Sequence, residues 1–298
     1  MGKLQRKAYA KVNLGLDVIR RREDGYHEVK MIMQTVDLYD VLTFEKTNKP
    51  GIRIQMADGD EKGIFLPLNE HNLIYKAAKM LFDQYNIQEG LEVTLEKNIP
   101  IAAGMAGGST DAAAAFLGVR DLFDLKISME ELKAMAVKVG ADVPYCLEGG
   151  TQLSEGIGEK LTILPPAPDC YLVIAKPGIS VSTKYVYQNL HCDTLKKHPD
   201  IDGMVKAITD NSLKGVTDRM ENVLETVTIP KNPVIRQIKQ LLLEEGAENA
   251  LMSGSGPTTF GIFKERETAE TAFEAVRKAG LAKQLFVTTL HHGMIERG

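Results

Sequence analysis

The stretch Pro100–Phe116 reads Pro-Ile-Ala-Ala-Gly-Met-Ala-Gly-Gly-Ser-Thr-Asp-Ala-Ala-Ala-Ala-Phe. A strand pattern leads into it, with Leu91, Val93 and Leu95 alternating with Glu92, Thr94 and Glu96. An alanine-rich helix pattern, predicted over 109–120, leads out of it. Gly104, Gly107 and Gly108 lie between the two, and Ser109 and Thr110 stand where the helix begins. Glycine lets backbone N–H groups turn inward and approach a ligand closely. A helix start adds unpaired N–H donors and partial positive charge, so the segment suits a phosphate. It is neither of the common phosphate loops. No Lys-Ser/Thr pair follows Gly104, and Met105-Ala106 interrupts a Gly-x-Gly-x-x-Gly pattern. The plainer alternative is a strand-to-helix turn in which Ser or Thr caps the helix.

The composition narrows the classes. With 298 residues, 44% hydrophobic and 26% charged, the chain is long enough for one large core or two smaller ones. A net charge of −4 argues against a general nucleic-acid binder, while leaving room for a small phosphorylated ligand held by a local positive field. No apolar run has the length of a membrane span, and the start, Met1-Gly2-Lys3-Leu4-Gln5-Arg6, has no signal-peptide stretch. Arg6 also stands where a myristoylation motif wants Ser or Thr. Cys146, Cys170 and Cys192 are widely spaced, as in a cytoplasmic protein with reduced thiols, two of them in the core. No metal-ligand spacing is visible, and His291-His292 reads as an exposed tail.

Working outward, residues 7–16 alternate. Ala8, Ala10, Val12, Leu14 and Leu16 share one strand face; Lys7, Tyr9, Lys11, Asn13 and Gly15 share the other. Lys11 and Asn13 can converge on one ligand, or the face is simply solvated. Asp24-Gly25 marks a turn, and Tyr26 and His27 follow it, placed either to stack on a planar ring or to cover a strand edge. Residues 29–46 form a long strand pattern whose parity changes near Gln34-Thr35 or Tyr39-Asp40. Asn72 caps a helix bearing Leu73, Ile74, Ala77, Met80 and Leu81. Ser128 and Glu131 form a capping box for a helix through Val139 that Gly140 ends. Asp142 comes next, just before Pro144, as a fixed carboxylate or as an ordinary turn former. Pro165-Pro166-Ala167-Pro168 reads as a linker, so two domains are expected, 1–160 and 161–298. In the second, strands alternate with helices, including one opened by Asn232-Pro233, and Leu251–Phe263 is another glycine-rich segment. This is an α+β pattern.

In this order the pieces resemble the galactokinase–homoserine kinase–mevalonate kinase–phosphomevalonate kinase (GHMP) superfamily over nearly the whole chain. The resemblance rests on Ala10-Lys11-Val12-Asn13-Leu14, Asp24-Gly25-Tyr26-His27-Glu28, Asn72-Leu73-Ile74, the loop 100–113 and Gly140-Ala141-Asp142-Val143-Pro144. Ser154–Glu159, Pro177–Val181 and Met252-Ser253-Gly254-Ser255-Gly256 complete it. The early Asp-Gly-Tyr-His points to the branch acting on 4-diphosphocytidyl-2-C-methyl-D-erythritol. Two positions depart from common patterns, Met105 for Leu and Tyr187 for the Phe of some members.

The resemblance implies an α+β two-domain fold with its active site in the cleft between the domains. It implies ATP as phosphoryl donor with Mg²⁺. Lys11 and Asp142 match the catalytic pair. Pro100, Ala103, Gly104, Met105, Ala106, Gly107, Gly108, Ser109 and Thr110 match the ATP phosphate loop, with Mg²⁺ near Ser109 and no dedicated protein ligand set. Asn72 and Lys97 fall in the adenosine pocket. Tyr26 and Tyr187 would sandwich a cytosine, His27 would read its edge, and Asn13, Thr183 and Asp142 would lie along the rest of the acceptor. A homoserine, mevalonate or sugar acceptor would keep the fold but leave those rings without a base to stack on. A non-catalytic nucleotide sensor or nucleic-acid-binding module is the alternative outside enzymes.

Overall fold

The computed structural model describes residues 2–57 and 66–293. Two long strands, β1 (Lys3–Arg21) and β2 (His27–Thr47), form an antiparallel ribbon joined by the Asp24-Gly25 turn. One edge of β2 carries β1 along its whole length. The other edge is shared: Val29–Gln34 pair with β5 (Thr151–Gly156), and Val41–Thr47 pair with β4 (Gly90–Glu96). β3 (Gly51–Met56) joins β4 in parallel, and β6 (Lys160–Ile163) closes the far side, giving the order β3-β4-β2-β5-β6 with β1 on β2. The expected parity change in β2 is a bulge, because Tyr9 pairs with Tyr39 while Lys11 pairs with Thr35. The same place marks the exchange of partner strands, so the strand continues where its neighbours change.

Helices α1 (Leu73–Tyr85), α2 (Gly107–Leu122), α3 (Met129–Ala136) and α4 (Val143–Glu148) cover one face of this sheet. Asn72 caps α1, accepting from the Ile74 N–H at 2.9 Å, and the Ser128–Glu131 capping box opens α3. The run Ala112–Ala115 makes α2 narrow, and the helix is buried on every side. It packs on α1, α4 and both long strands. The helix predicted over 109–120 begins earlier, at Gly107, so neither Ser109 nor Thr110 caps it; the N-cap is Ala106. α3 ends at Ala136 and a hydrogen-bonded turn continues to Gly140, which lies outside the left-handed region.

The second half forms a four-stranded antiparallel sheet ordered β10-β7-β9-β8. Its strands are β7 (Tyr171–Lys176), β8 (Asn249–Met252), β9 (Thr259–Phe263) and β10 (Gln284–Thr289). Short helices α5 (Thr183–Gln188), α6 (Ile201–Thr209), α7 (Leu213–Thr217) and α8 (Glu225–Lys231) precede two longer ones, α9 (Pro233–Glu244) and α10 (Arg266–Ala279). Ile238 and Leu242 of α9 meet Ala269, Ala272 and Val276 of α10 against one face of the sheet. The opposite face faces the first half. Leu172, Ile174, Phe260 and Ile262 share a core with Val12, Leu14, Ile32 and Val36 of the long ribbon.

Two expectations change. The Lys7–Gly15 face of β1 is not solvated, since Tyr9, Lys11 and Asn13 are all buried beneath other elements. His291 is not an exposed tail: its ring stacks on Tyr9 at 3.9 Å, and its N–H donates to the Thr35 carbonyl at 2.9 Å. All three cysteines are buried and free. Among the described residues no helix is long and apolar enough to cross a membrane.

Candidate active site

A cavity of about 920 Å³ opens where the glycine loop, the long ribbon and the second half meet. One wall is the segment between β4 and α2. Its backbone enters the left-handed region three times, at Ala102 (φ 50°), Gly104 (φ 75°) and Ala106 (φ 56°). Such alternation turns successive N–H groups to one side and makes a concave cradle for an anion. Only Gly104 among the loop's glycines supplies a positive φ. Gly107 serves close packing instead, since a Cβ there would lie 3.1 Å from both Lys97 Nζ and Ile99 Cγ2. The first turn of α2 then aims its unpaired N–H groups into the same space.

The loop is held from behind. The Lys11 N–H donates to the Met105 carbonyl at 3.1 Å, and the Ser253 hydroxyl donates to the Gly104 carbonyl at 2.9 Å. The second glycine-rich segment therefore lies against the first. Asn222 fixes that segment by donating to the Met252 and Gly254 carbonyls at 2.7 and 2.8 Å. At the loop's foot, Lys97 pairs with Asp40 and, at 2.9 Å, with Asp111.

The polar centre of the cleft is Lys11 with Asp142. Lys11 Nζ lies 3.8 Å from Asp142 Oδ2 and donates to Asn13 Oδ1 at 2.7 Å. Lys11 is buried while about a third of the Asp142 side chain remains exposed, 32%. The carboxylate is thus open to the cavity while its ammonium partner is fixed behind it. Asp142 precedes α4, whose first turn contains Pro144; its side chain makes no capping bond and stays available.

At the other end, the His27 ring lies 5.2 Å from Tyr187, tilted by 47°. Tyr26 stands 61% exposed at the rim. Burial, then the charge of Arg21, holds the His27 imidazole below its usual value, so it stays neutral near pH 7. Burial, then the nearby Asp142 carboxylate, pushes the Tyr187 hydroxyl up. Tyr187 therefore remains a neutral phenol. Thr183 lies beside it and exchanges a hydrogen bond with Ser255 at 2.8 Å.

The cavity brings together Lys11, Asn13, Tyr26, His27, Asn72, Lys97, Pro100, Ala103, Gly104, Ala106, Gly107, Gly108, Ser109, Asp142, Thr183 and Tyr187 from distant parts of the sequence. Met105 and Thr110 are absent from its lining and are buried. Burial pushes the Cys146 thiol up and keeps it protonated. The Asn72 side chain also donates to the Pro67 carbonyl at 2.7 Å, so both its ends are engaged at the edge of the cavity. Asp40, Asp111, Asn222 and Ser253 carry no assignment from sequence patterns. Asp40 enters the sequence reading only within Tyr39-Asp40, one of two places given for the strand's parity change.

The chain is similar to known proteins along its length. Residues 72–150 match the family described as GHMP kinases N terminal domain, and residues 195–282 match GHMP kinases C terminal. It is 54% identical over 282 residues to the 4-diphosphocytidyl-2-C-methyl-D-erythritol kinase of Lachnoclostridium phytofermentans, covering 95% of both chains. It is 46% identical over 285 residues to that of Clostridium perfringens, covering 96% of this chain and 97% of the relative. A crystal structure of 4-(cytidine 5'-diphospho)-2C-methyl-D-erythritol kinase superposes with a TM-score of 0.82 at 31% identity, over 97% of this chain and 100% of that one. A homoserine kinase from Cytophaga hutchinsonii shares the fold, with a TM-score of 0.77 at 22% identity over 99% and 96% of the two chains.

Proposed function

The chain belongs to the 4-diphosphocytidyl-2-C-methyl-D-erythritol kinases of the GHMP superfamily, the ATP-dependent kinases of the non-mevalonate isoprenoid route, and we propose how its cleft divides the work of transfer. The γ-phosphoryl group of ATP passes to the 2-hydroxyl of 4-diphosphocytidyl-2-C-methyl-D-erythritol. The observation that carries the division is the open Asp142 carboxylate, backed by Lys11, in one cavity with the glycine loop and the His27–Tyr187 pair.

Phosphoryl transfer asks mainly for position and charge neutralisation. The backbone cradle from Ala103 to Ser109 would take the ATP phosphates with preorganised donors. Asp142 would accept the hydrogen bond, and in the end the proton, of the acceptor hydroxyl. Lys11 would orient that carboxylate and stabilise charge on the attacking oxygen. Asn13 orients Lys11 through their hydrogen bond. Cytosine would lie between Tyr26 and Tyr187, with neutral His27 at its edge. Thr183 would line the acceptor, and Asn72 and Lys97 would bound the adenosine side. Fixing the remote base positions the hydroxyl for attack.

Among the described residues, no group of three His, Cys, Asp or Glu side chains is arranged to hold a metal. What fits is an ion that arrives with the nucleotide: Ser109 lines the cavity, and Asp111 Oδ1 is buried in its wall with no hydrogen-bond partner among the described residues. Hard oxygen donors of this kind, joined to phosphates, suit Mg²⁺. Ser109 would hold the ion, which when bound neutralises phosphate charge. We further propose that the first 160 residues act as the ATP lobe and residues 161–298 as the acceptor lobe, whose Thr183 and Tyr187 meet Tyr26 and His27 of the first at the cavity, in the cytoplasm, where the three buried thiols stay reduced.

The test is ADP release with and without 4-diphosphocytidyl-2-C-methyl-D-erythritol. Turnover should require that acceptor and be inhibited by CDP in competition with it. ADP release that ignores the acceptor, or that homoserine supports equally, would refute the reading.

A further inference from the structure

The foot of the glycine loop holds three charged side chains that sequence patterns do not connect. Lys97 lies just after β4, Asp40 in β2 at the exchange of partner strands, and Asp111 in the second turn of α2. Lys97 Nζ pairs with Asp40 Oδ2 and lies 2.9 Å from Asp111 Oδ2. The three side chains are 3%, 0% and 4% exposed. Asp40 Oδ1 accepts from the Asn98 and Ile99 N–H groups at 2.6 and 2.8 Å. Those two donors lie where β4 has left β2, so no sheet partner remains for them.

The consequence is geometric. Asp40 fixes residues 97–99, where the loop begins. Through Lys97 it also fixes Asp111, where the loop has become helix. The segment between, with its three left-handed residues, is thus anchored at both ends to one strand of the sheet. Lys97 Nζ is close enough to the first turn that a Cβ on Gly107 would come within 3.1 Å of it. A change in the ion pairs would therefore be felt by the N–H groups facing the cavity.

We propose that Asp40 and Asp111, bridged by Lys97, are positioning residues that preset the phosphate cradle for the nucleotide, and that Lys97 acts as a strut in addition to bounding the adenosine side. The proposal rests on the reading of this cleft as the ATP site. Removing one partner of a buried ion network leaves the rest uncompensated and free to shift, which a preorganised cradle tolerates poorly. The acceptor end is formed by Tyr26, His27 and Tyr187 of other segments, so the effect should fall on the nucleotide.

Isothermal titration of AMPPNP and, separately, of CDP into the intact protein, Asp40→Asn and Asp111→Asn decides it. The AMPPNP Kd should rise about tenfold or more in both variants, with the CDP Kd within about twofold of the parent. An unchanged AMPPNP Kd in folded variants overturns the proposal. Equal weakening of both ligands overturns it as well, because that is the mark of general damage. If Asp40→Asn does not fold by circular dichroism, the Asp111→Asn titration without Mg²⁺ stands as the test, because Asp111 Oδ1 is also placed to meet the ion. Failure of the parent protein to bind AMPPNP overturns the ATP-site reading itself, a result separable from the others.

Discussion

The Ser253 hydroxyl donates to the Gly104 carbonyl at 2.9 Å, joining glycine-rich segments 149 residues apart. The contact is so close that a Cβ on Gly104 would lie 2.2 Å from the Ser253 carbonyl oxygen. The curvature of the phosphate cradle and the seating of the second half on the first thus meet at one residue.

Gly104→Ala tests that meeting point. It adds a clash to a backbone with φ of 75°, a conformation that disfavours side chains. The expected cost is about 1–3 kcal/mol of stability, read from urea unfolding, together with a raised KM for ATP. A variant with the parent's midpoint and KM would show that the segments can separate freely.

Asp142→Asn removes the open carboxylate while keeping its shape. kcat should fall by about 10²–10⁴-fold. AMPPNP affinity, measured by titration, should stay within about twofold, because the residue faces the acceptor hydroxyl rather than the nucleotide. A parent-like kcat would take the base role away from Asp142.

Tyr187→Ala should weaken CDP binding by about 1–3 kcal/mol, the usual scale of a base stacked on an aromatic ring. Tyr187→Phe should keep most of the affinity, since the face of the ring does the stacking. Tyr26→Ala should mainly raise the acceptor KM. Calorimetry with CDP reads the two Tyr187 variants and steady-state kinetics reads Tyr26→Ala, and a loss of ATP affinity instead would reverse the two ends of the cleft.

Much of this was legible in the residues, for definite reasons. Asn72 and the Ser128–Glu131 box announce helix starts because capping is local chemistry. Lys11 and Asn13 share a strand face by simple alternation, and the structure unites them. Ala102 and Ala106 were not legible as left-handed residues, since alanine prefers other conformations and only the surrounding packing holds it there. Helices α6 to α8 also left little trace. They are short, α8 contains Pro230, and each owes its order to burial of a few side chains such as Met204 and Val216. The anchoring roles of Asp40 and Asn222 depend on partners far along the chain, which no local pattern carries.

The apolar layer between the two sheets bears on how the protein comes apart. Val12, Leu14, Ile32 and Val36 on one side and Leu172, Ile174, Phe260 and Ile262 on the other belong to a single cluster. Neither half closes that layer alone. A chain cut within Pro165–Pro168 would leave each fragment with a sticky, water-exposed face, and the intact protein should melt in one cooperative transition rather than lobe by lobe.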